Sequence, residues 1–213
     1  MFVDQRQFPF LADLRARWGA IRDECLALPL ETYQPWVQRE MYGQGWSVYG
    51  LVAFGERIEE ALEACPSTAS ALTKVPHLTT AGFSRMAPGT HITPHQGWVT
   101  TVYRAHLGLV VPEDCALRVG DETRQWREGE TFVFDDTVTH EAWNYGTSDR
   151  VVLLFDFVRP GCEDMPRDEL PASVAGFVRR GGRARTSPVS SSRPDTPPTA
   201  RCSTLGSTLD APR

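Results

Sequence analysis

The sequence predicts a mainly β domain, a sandwich or barrel of short strands, with helices from its N-terminal third packed against it. Between residues 80 and 158 the apolar positions follow a period of two, in short segments separated by polar turns. The run Val151-Val152-Leu153-Leu154-Phe155 is apolar throughout, as a central strand buried on both faces would be. Before residue 75 the apolar side chains recur instead at three- and four-residue steps.

In chain order, residues 9–29 read as one helix, with Leu11, Leu14, Trp18, Ile21 and Cys25 on one face. Residues 30–50, rich in Pro, Gly, Tyr and Trp, read as an ordered loop with one or two short strands. Glu56–Ala64 and Ser67–Lys74 read as two short helices, with Pro66 suited to the start of the second. Then come a strand over Thr80–Met86, a turn at 87–90, and a long strand over Val99–Val111. Cys115–Val119 and Thr123–Trp126 form a hairpin across Gly120-Asp121. Thr131–Asp135, Glu141–Tyr145 and Arg150–Val158 complete the series. A weak helical stretch lies near Leu170–Val178, and from Gly181 the Ser/Pro/Thr-rich composition cannot build a core.

This order divides the chain into an N-terminal support (1–75), a β core (76–165), a C-terminal extension (166–180) and a disordered basic tail (181–213). The formal net charge is −5 over 213 residues. Seven arginines and two aspartates give residues 179–213 a net +5, which leaves about −10 on residues 1–178. Nothing in that balance calls for nucleic acid or an anionic membrane as partner. Five scattered cysteines without a C-x-x-C argue against a disulfide framework and a zinc ribbon. With no basic and apolar leader at residue 1, a cytoplasmic protein is expected.

The candidate site residues lie between Ser84 and Arg159. His95 and His140 stand before and after the long strand, an arrangement that places them on opposite sides of a β-rich core. Imidazole is a common ligand for borderline metals, and iron oxygenases pair two histidines with a carboxylate in an H-x-D step. Here that step reads His95-Gln96-Gly97, with glycine at the carboxylate position. Two distant histidines alone are weak evidence, since histidines also sit at turns. Arg104 and His106, two apart on a strand, share a face. That face is either an interior needing an anionic partner or a solvated one, and the pattern leaves both open. Arg150, at the start of the last strand, could hold a carboxylate through two parallel hydrogen bonds, or could be a surface residue. Ser84 and Met86 alternate on their strand and could line the same cavity. The tract Gly129–Asn144, a turn, a strand, a loop and then a histidine, looks like the second half-motif of a cupin barrel.

Taken together, Met86-Ala87-Pro88-Gly89-Thr90-His91-Ile92-Thr93-Pro94-His95, Arg104–Val110 and Phe134–Trp143 resemble the aspartyl/asparaginyl β-hydroxylases, which are iron(II)- and 2-oxoglutarate-dependent oxygenases. The resemblance runs from about Tyr42 to Pro160, and the best-known animal members also carry glycine at the triad's carboxylate position. It implies a double-stranded β-helix, a cupin-like jelly roll with N-terminal helices packed on it. His95 and His140 would ligate iron. Arg150 with Ser84 would hold the distal carboxylate of 2-oxoglutarate, Arg104 and His106 would lie by its chelating end, and Met86 would pack beside it. Trp46 would line the substrate side. The implied activity is hydroxylation by O2 of an unactivated carbon, the β-carbon of an aspartyl or asparaginyl residue or of a related small acid or peptide. Halogenation at the position left by Gly97 is a variant, and a non-catalytic cupin-like small-molecule-binding module is the alternative. Substrate identity and oligomeric state are not legible in these residues.

Overall fold

The computed structural model describes residues 1–165 and 172–174. Its strands are β1 (Phe2–Val3), β2 (Gln34–Pro35), β3 (Trp46–Ala53), β4 (Glu56–Arg57), β5 (Leu78–Met86) and β6 (Thr90–His95), followed by β7 (Val102–Val110), β8 (Cys115–Val119), β9 (Glu122–Gln125), β10 (Thr131–Phe134), β11 (His140–Asn144) and β12 (Arg150–Val158). The helices are α1 (Leu11–Ala16), α2 (Trp18–Ala27), α3 (Glu59–Ala64) and α4 (Pro66–Leu72).

Two antiparallel sheets result. The larger has the order β1-β10-β7-β12-β5-β3-β2, with β4 also on β3, and the smaller has the order β6-β11-β8-β9. Alternation along each strand of the larger sheet feeds two separate cores. Ala81, Phe83, Ala105, Leu107, Leu153 and Phe155 point to one face, where they meet Leu11, Leu14, Ile21 and Cys25 of the helices. Met86, Phe132, Phe134 and Val152 point to the other and meet Ile92, Leu117, Val119 and Ala142 of the smaller sheet. The mainly β, jelly-roll expectation with packed N-terminal helices therefore holds, with sheets that stay open rather than close into a barrel. As expected, β12 is a central strand, flanked by β5 and β7.

Several elements differ in detail. The helix expected over 9–29 is broken at Arg17, whose φ of −104° and ψ of 3° leave the helical region between α1 and α2, and both pieces keep their apolar residues on the sheet. The aromatic loop after residue 30 holds a longer strand than expected, because β3 continues to Ala53 along β5. Glu56 and Arg57 are strand, so α3 begins only at Glu59. Pro66 does open α4, where Glu24 of α2 accepts the free N–H groups of Ser67 and Thr68 at 2.6 and 2.8 Å. Residues 99–101 stand outside β7. Thr90–His95, of which the sequence pattern assigned only Thr90, to a turn, forms β6 with Pro94 inside it. Proline is tolerated there because β6 is the edge of its sheet, where a missing N–H costs no ladder bond. Residues 172–174 are helical, in keeping with the stretch expected near Leu170–Val178. The rest of that stretch and the basic tail lie outside the described residues. No helix among the described residues is long and apolar enough to cross a membrane.

Candidate metal and carboxylate site

His95 and His140 are not on opposite sides of the core. They are cross-strand partners on β6 and β11, with ring centroids 4.1 Å apart. A one-residue shift in register brings this about. Ala142 pairs with Ile92, so an unbroken ladder would set His140 against Pro94 and turn His95 outward, whereas the bulge sets His140 against His95 itself. Each ring is then locked by a backbone carbonyl two residues back: Nδ1 of His95 lies 2.7 Å from Thr93 O, and Nδ1 of His140 lies 2.9 Å from Val138 O. A carbonyl only accepts, so Nδ1 carries the proton on both rings and each Nε2 keeps its lone pair. Burial, with the neighbouring imidazole second, lowers the pKa of His95 to about 4. Burial lowers that of His140 to about 4 as well, Arg104 adding to it. At neutral pH the site therefore presents two uncharged donors.

These pKa values make a prediction for stability. The rings ordinarily titrate at 6.5, so between pH 6.5 and about 4 the unfolded chain binds more protons than the folded one, and stability falls as pH falls. At pH 5 the loss is on the order of 2 kcal/mol per ring. Urea unfolding of metal-free protein at pH 7 and pH 5 should show it, and a His95→Gln/His140→Gln variant should lose much of the difference.

Next to the imidazoles, Arg104 holds two carboxylates that the sequence reading gave no role. Its Nη1 donates to Asp136 Oδ1 at 2.7 Å, while Nε and Nη2 donate to the two oxygens of Asp156 at 2.8 and 2.9 Å. Burial opposes the charge of Arg104, but the two carboxylates outweigh it and raise its pKa. Burial also raises the pKa of Asp156 against the pull of Arg104. Asp136 Oδ1 lies 3.3 Å from His140 Nε2. Asp136 also takes the room that a side chain at Gly97 would need: a Cβ placed there would sit 1.7 Å from Asp136 Oδ2. Glycine in the H-x-G step is therefore a packing requirement of Asp136. Gly97→Asp, which restores the H-x-D spelling, should displace Asp136 and weaken metal binding rather than strengthen it; iron(II) titration of that variant is the check.

A second cluster lies deeper between the sheets. Trp126 Nε1 donates to His106 Nδ1 at 3.2 Å, so the proton of His106 is on Nε2, which is buried and has no partner. Burial, then Arg150, hold the pKa of His106 well below the ordinary value, so the ring is neutral. Arg150 is 2% exposed, and its guanidinium lies over the same indole, 4.6 Å from the ring centroid. Its Nη1 donates to Ser84 O at 3.3 Å, and its Nε is unpartnered. Burial lowers its pKa to about 10, which leaves it charged at pH 7. Ser84 Oγ accepts from Trp46 Nε1 at 3.1 Å and so keeps its own proton to give. Met86, fully buried, pairs with Arg150 across β5 and β12. Arg104 and His106 thus face the interior, which resolves the choice the alternation left open. Ser84, Met86, Arg104, His106 and Arg150 all line the space between the sheets, and the described residues hold no cluster of three metal-ligating side chains.

A cleft of about 1010 Å³, including its open mouth, leads to His95, Arg104 and Asp136 past Trp46 and Ser84. Trp46 thus lines this cleft. Asp136 had been noted only as part of a motif. Asp156 could have been found by the period of two, since Arg150, Val152, Leu154 and Asp156 share one face of β12.

The family model for aspartyl/asparaginyl beta-hydroxylase matches residues 15–160, a span that contains both clusters. The chain belongs to the aspartyl/asparaginyl beta-hydroxylase family. Relatives of this chain include an ornithine lipid ester-linked acyl 2-hydroxylase of Rhizobium tropici, 39% identical over 168 residues, covering 74% of this chain and 60% of the relative. The human aspartyl/asparaginyl beta-hydroxylase is 36% identical over 168 residues, covering 75% of this chain and 22% of the relative. This chain thus spans less than two thirds of the length of either. Among solved structures, the Schizosaccharomyces pombe Cnp3 cupin domain is similar at 11% identity and a TM-score of 0.39, covering 66% of this chain and 74% of that one.

Proposed function

We propose that this protein is an iron(II)- and 2-oxoglutarate-dependent hydroxylase that acts on an unactivated carbon. The observation that carries this reading is the set of buried donors without acceptors: Arg150 Nε, His106 Nε2–H and the Ser84 hydroxyl proton. A buried guanidinium without a counter-ion is costly, and the group that answers all three donors is a carboxylate. The two Nε2 lone pairs supply what a borderline metal needs. Donors for a metal and donors for a carboxylate in one interior fit iron with 2-oxoglutarate.

When bound, that pair splits O2, placing one oxygen atom in a substrate C–H bond as an alcohol and the other in succinate, with release of CO2. The residues of this chain prepare the site. The Thr93 and Val138 carbonyls fix both imidazoles in the ligating tautomer. Arg150 and Ser84 would hold the distal carboxylate of 2-oxoglutarate, while His106, kept neutral, would donate toward its chelating end. Arg104 holds Asp136 beside the imidazoles. The names of the relatives point to two substrate classes, an ester-linked acyl chain and an aspartyl or asparaginyl residue. A non-catalytic binding module would have use for the carboxylate donors but none for two free imidazole lone pairs. The test is succinate release from 2-oxoglutarate in air with iron(II), expected in the wild type and absent without iron.

A further inference from the structure

The cleft that reaches His95 is walled by Val48, Val52, Phe54, Ile58, Trp98 and Val99. The charged or titratable residues that line it are His95, Arg104 and Asp136. Arg104, the cation among them, donates to both Asp136 and Asp156, so one guanidinium already serves two carboxyl groups. An acidic side chain entering here would meet those carboxylates with no uncommitted cation among the described lining residues to receive it. On the floor of the cleft, Gly50 and Gly82 are cross-strand partners, which leaves that stretch of β3 and β5 without side chains. Four residue steps along β5, from Ser84 to Thr80, give the floor a length of about 13 Å at roughly 3.3 Å per residue. Thr80 Oγ1, in the cleft lining, is buried and unpartnered: a neutral hydroxyl suited to a carbonyl and too little to hold a carboxylate.

We infer that the substrate of this site is a neutral aliphatic acyl chain, ester- or amide-linked, lying along the apolar cleft with its carbonyl within reach of Thr80. This rests on the hydroxylase reading and selects one substrate class within it. An acidic side chain fits the lining worse, because burying a charge needs a partner and the cleft offers none that is free.

The experiment uses the full chain, anaerobic, with iron(II) and 2-oxoglutarate, and methyl cis-parinarate as a neutral fluorescent acyl ester. The probe should bind saturably and be displaced by methyl dodecanoate but not by N-acetyl-aspartate methylamide. Val99→Asp, in the loop before β7, should weaken probe binding at least tenfold, and Val99→Leu should not. Displacement by the aspartyl compound, absence of saturable binding, or equal binding by Val99→Asp would overturn the inference. The visible band of the iron–2-oxoglutarate complex, read in the same samples, separates the two readings. A band without probe binding overturns the acyl inference alone, and probe binding without a band overturns the co-substrate reading alone.

Discussion

Replacing His140 with alanine is expected to reduce iron-dependent succinate release to background, and His95→Ala should do the same. Partners that merely orient a metal ligand are worth about 10–100-fold in affinity or activity. A direct ligand in a site with two imidazoles and no third ligating side chain among the described residues must cost more. The fold should survive both changes. His140 is buried and His95 partly so, both rings are uncharged, and each hydrogen-bonds to a carbonyl of its own strand or the adjoining loop. A thermal melt in the absence of metal should therefore show a cooperative transition in both variants, while iron retained after desalting falls to background.

Arg150→Met is expected to change stability and ligand binding in opposite directions. In the ligand-free protein Arg150 is a buried charge with no carboxylate partner, so an apolar side chain of similar length should leave the melting temperature unchanged or raise it. With 2-oxoglutarate present the sign reverses. A ligand at 100 times its Kd stabilises the wild type by about 2.7 kcal/mol. The variant should lose that increment, because removing a charge-assisted, two-pronged contact costs roughly 3 kcal/mol, more than a hundredfold in affinity. Thermal shift with and without the co-substrate measures both. An arginine that only braced the strands would give a lower melting temperature in its absence and an undiminished ligand shift.

Much of the fold was legible because periodicity reports burial directly. The change from helical to alternating spacing near residue 75, and the unbroken apolar run of β12, follow from which faces are buried. The site was legible in part. Arg104 and His106 announced a shared face, but only the packing of Phe132, Phe134 and Trp126 around that face decides that it is interior. The adjacency of His95 and His140 was beyond the pattern, since it depends on a bulge in an edge strand that alternation cannot show. Asp136 was equally hidden: its neighbour Asp135 pairs with Arg159, and nothing in the sequence says which of the two turns inward. Gly97 looked like a missing ligand, and its meaning is spatial, as the position Asp136 needs open.

The most direct measurement is an anaerobic titration of the purified protein with iron(II) and then 2-oxoglutarate, followed by visible absorption. The account predicts a weak metal-to-ligand charge-transfer band that saturates with the co-substrate, disappears in His95→Ala, and requires far more 2-oxoglutarate in Arg150→Met. A folded, iron-loaded wild type that gives no band would contradict it, and would leave the buried donors of Arg150 and His106 to some other anion.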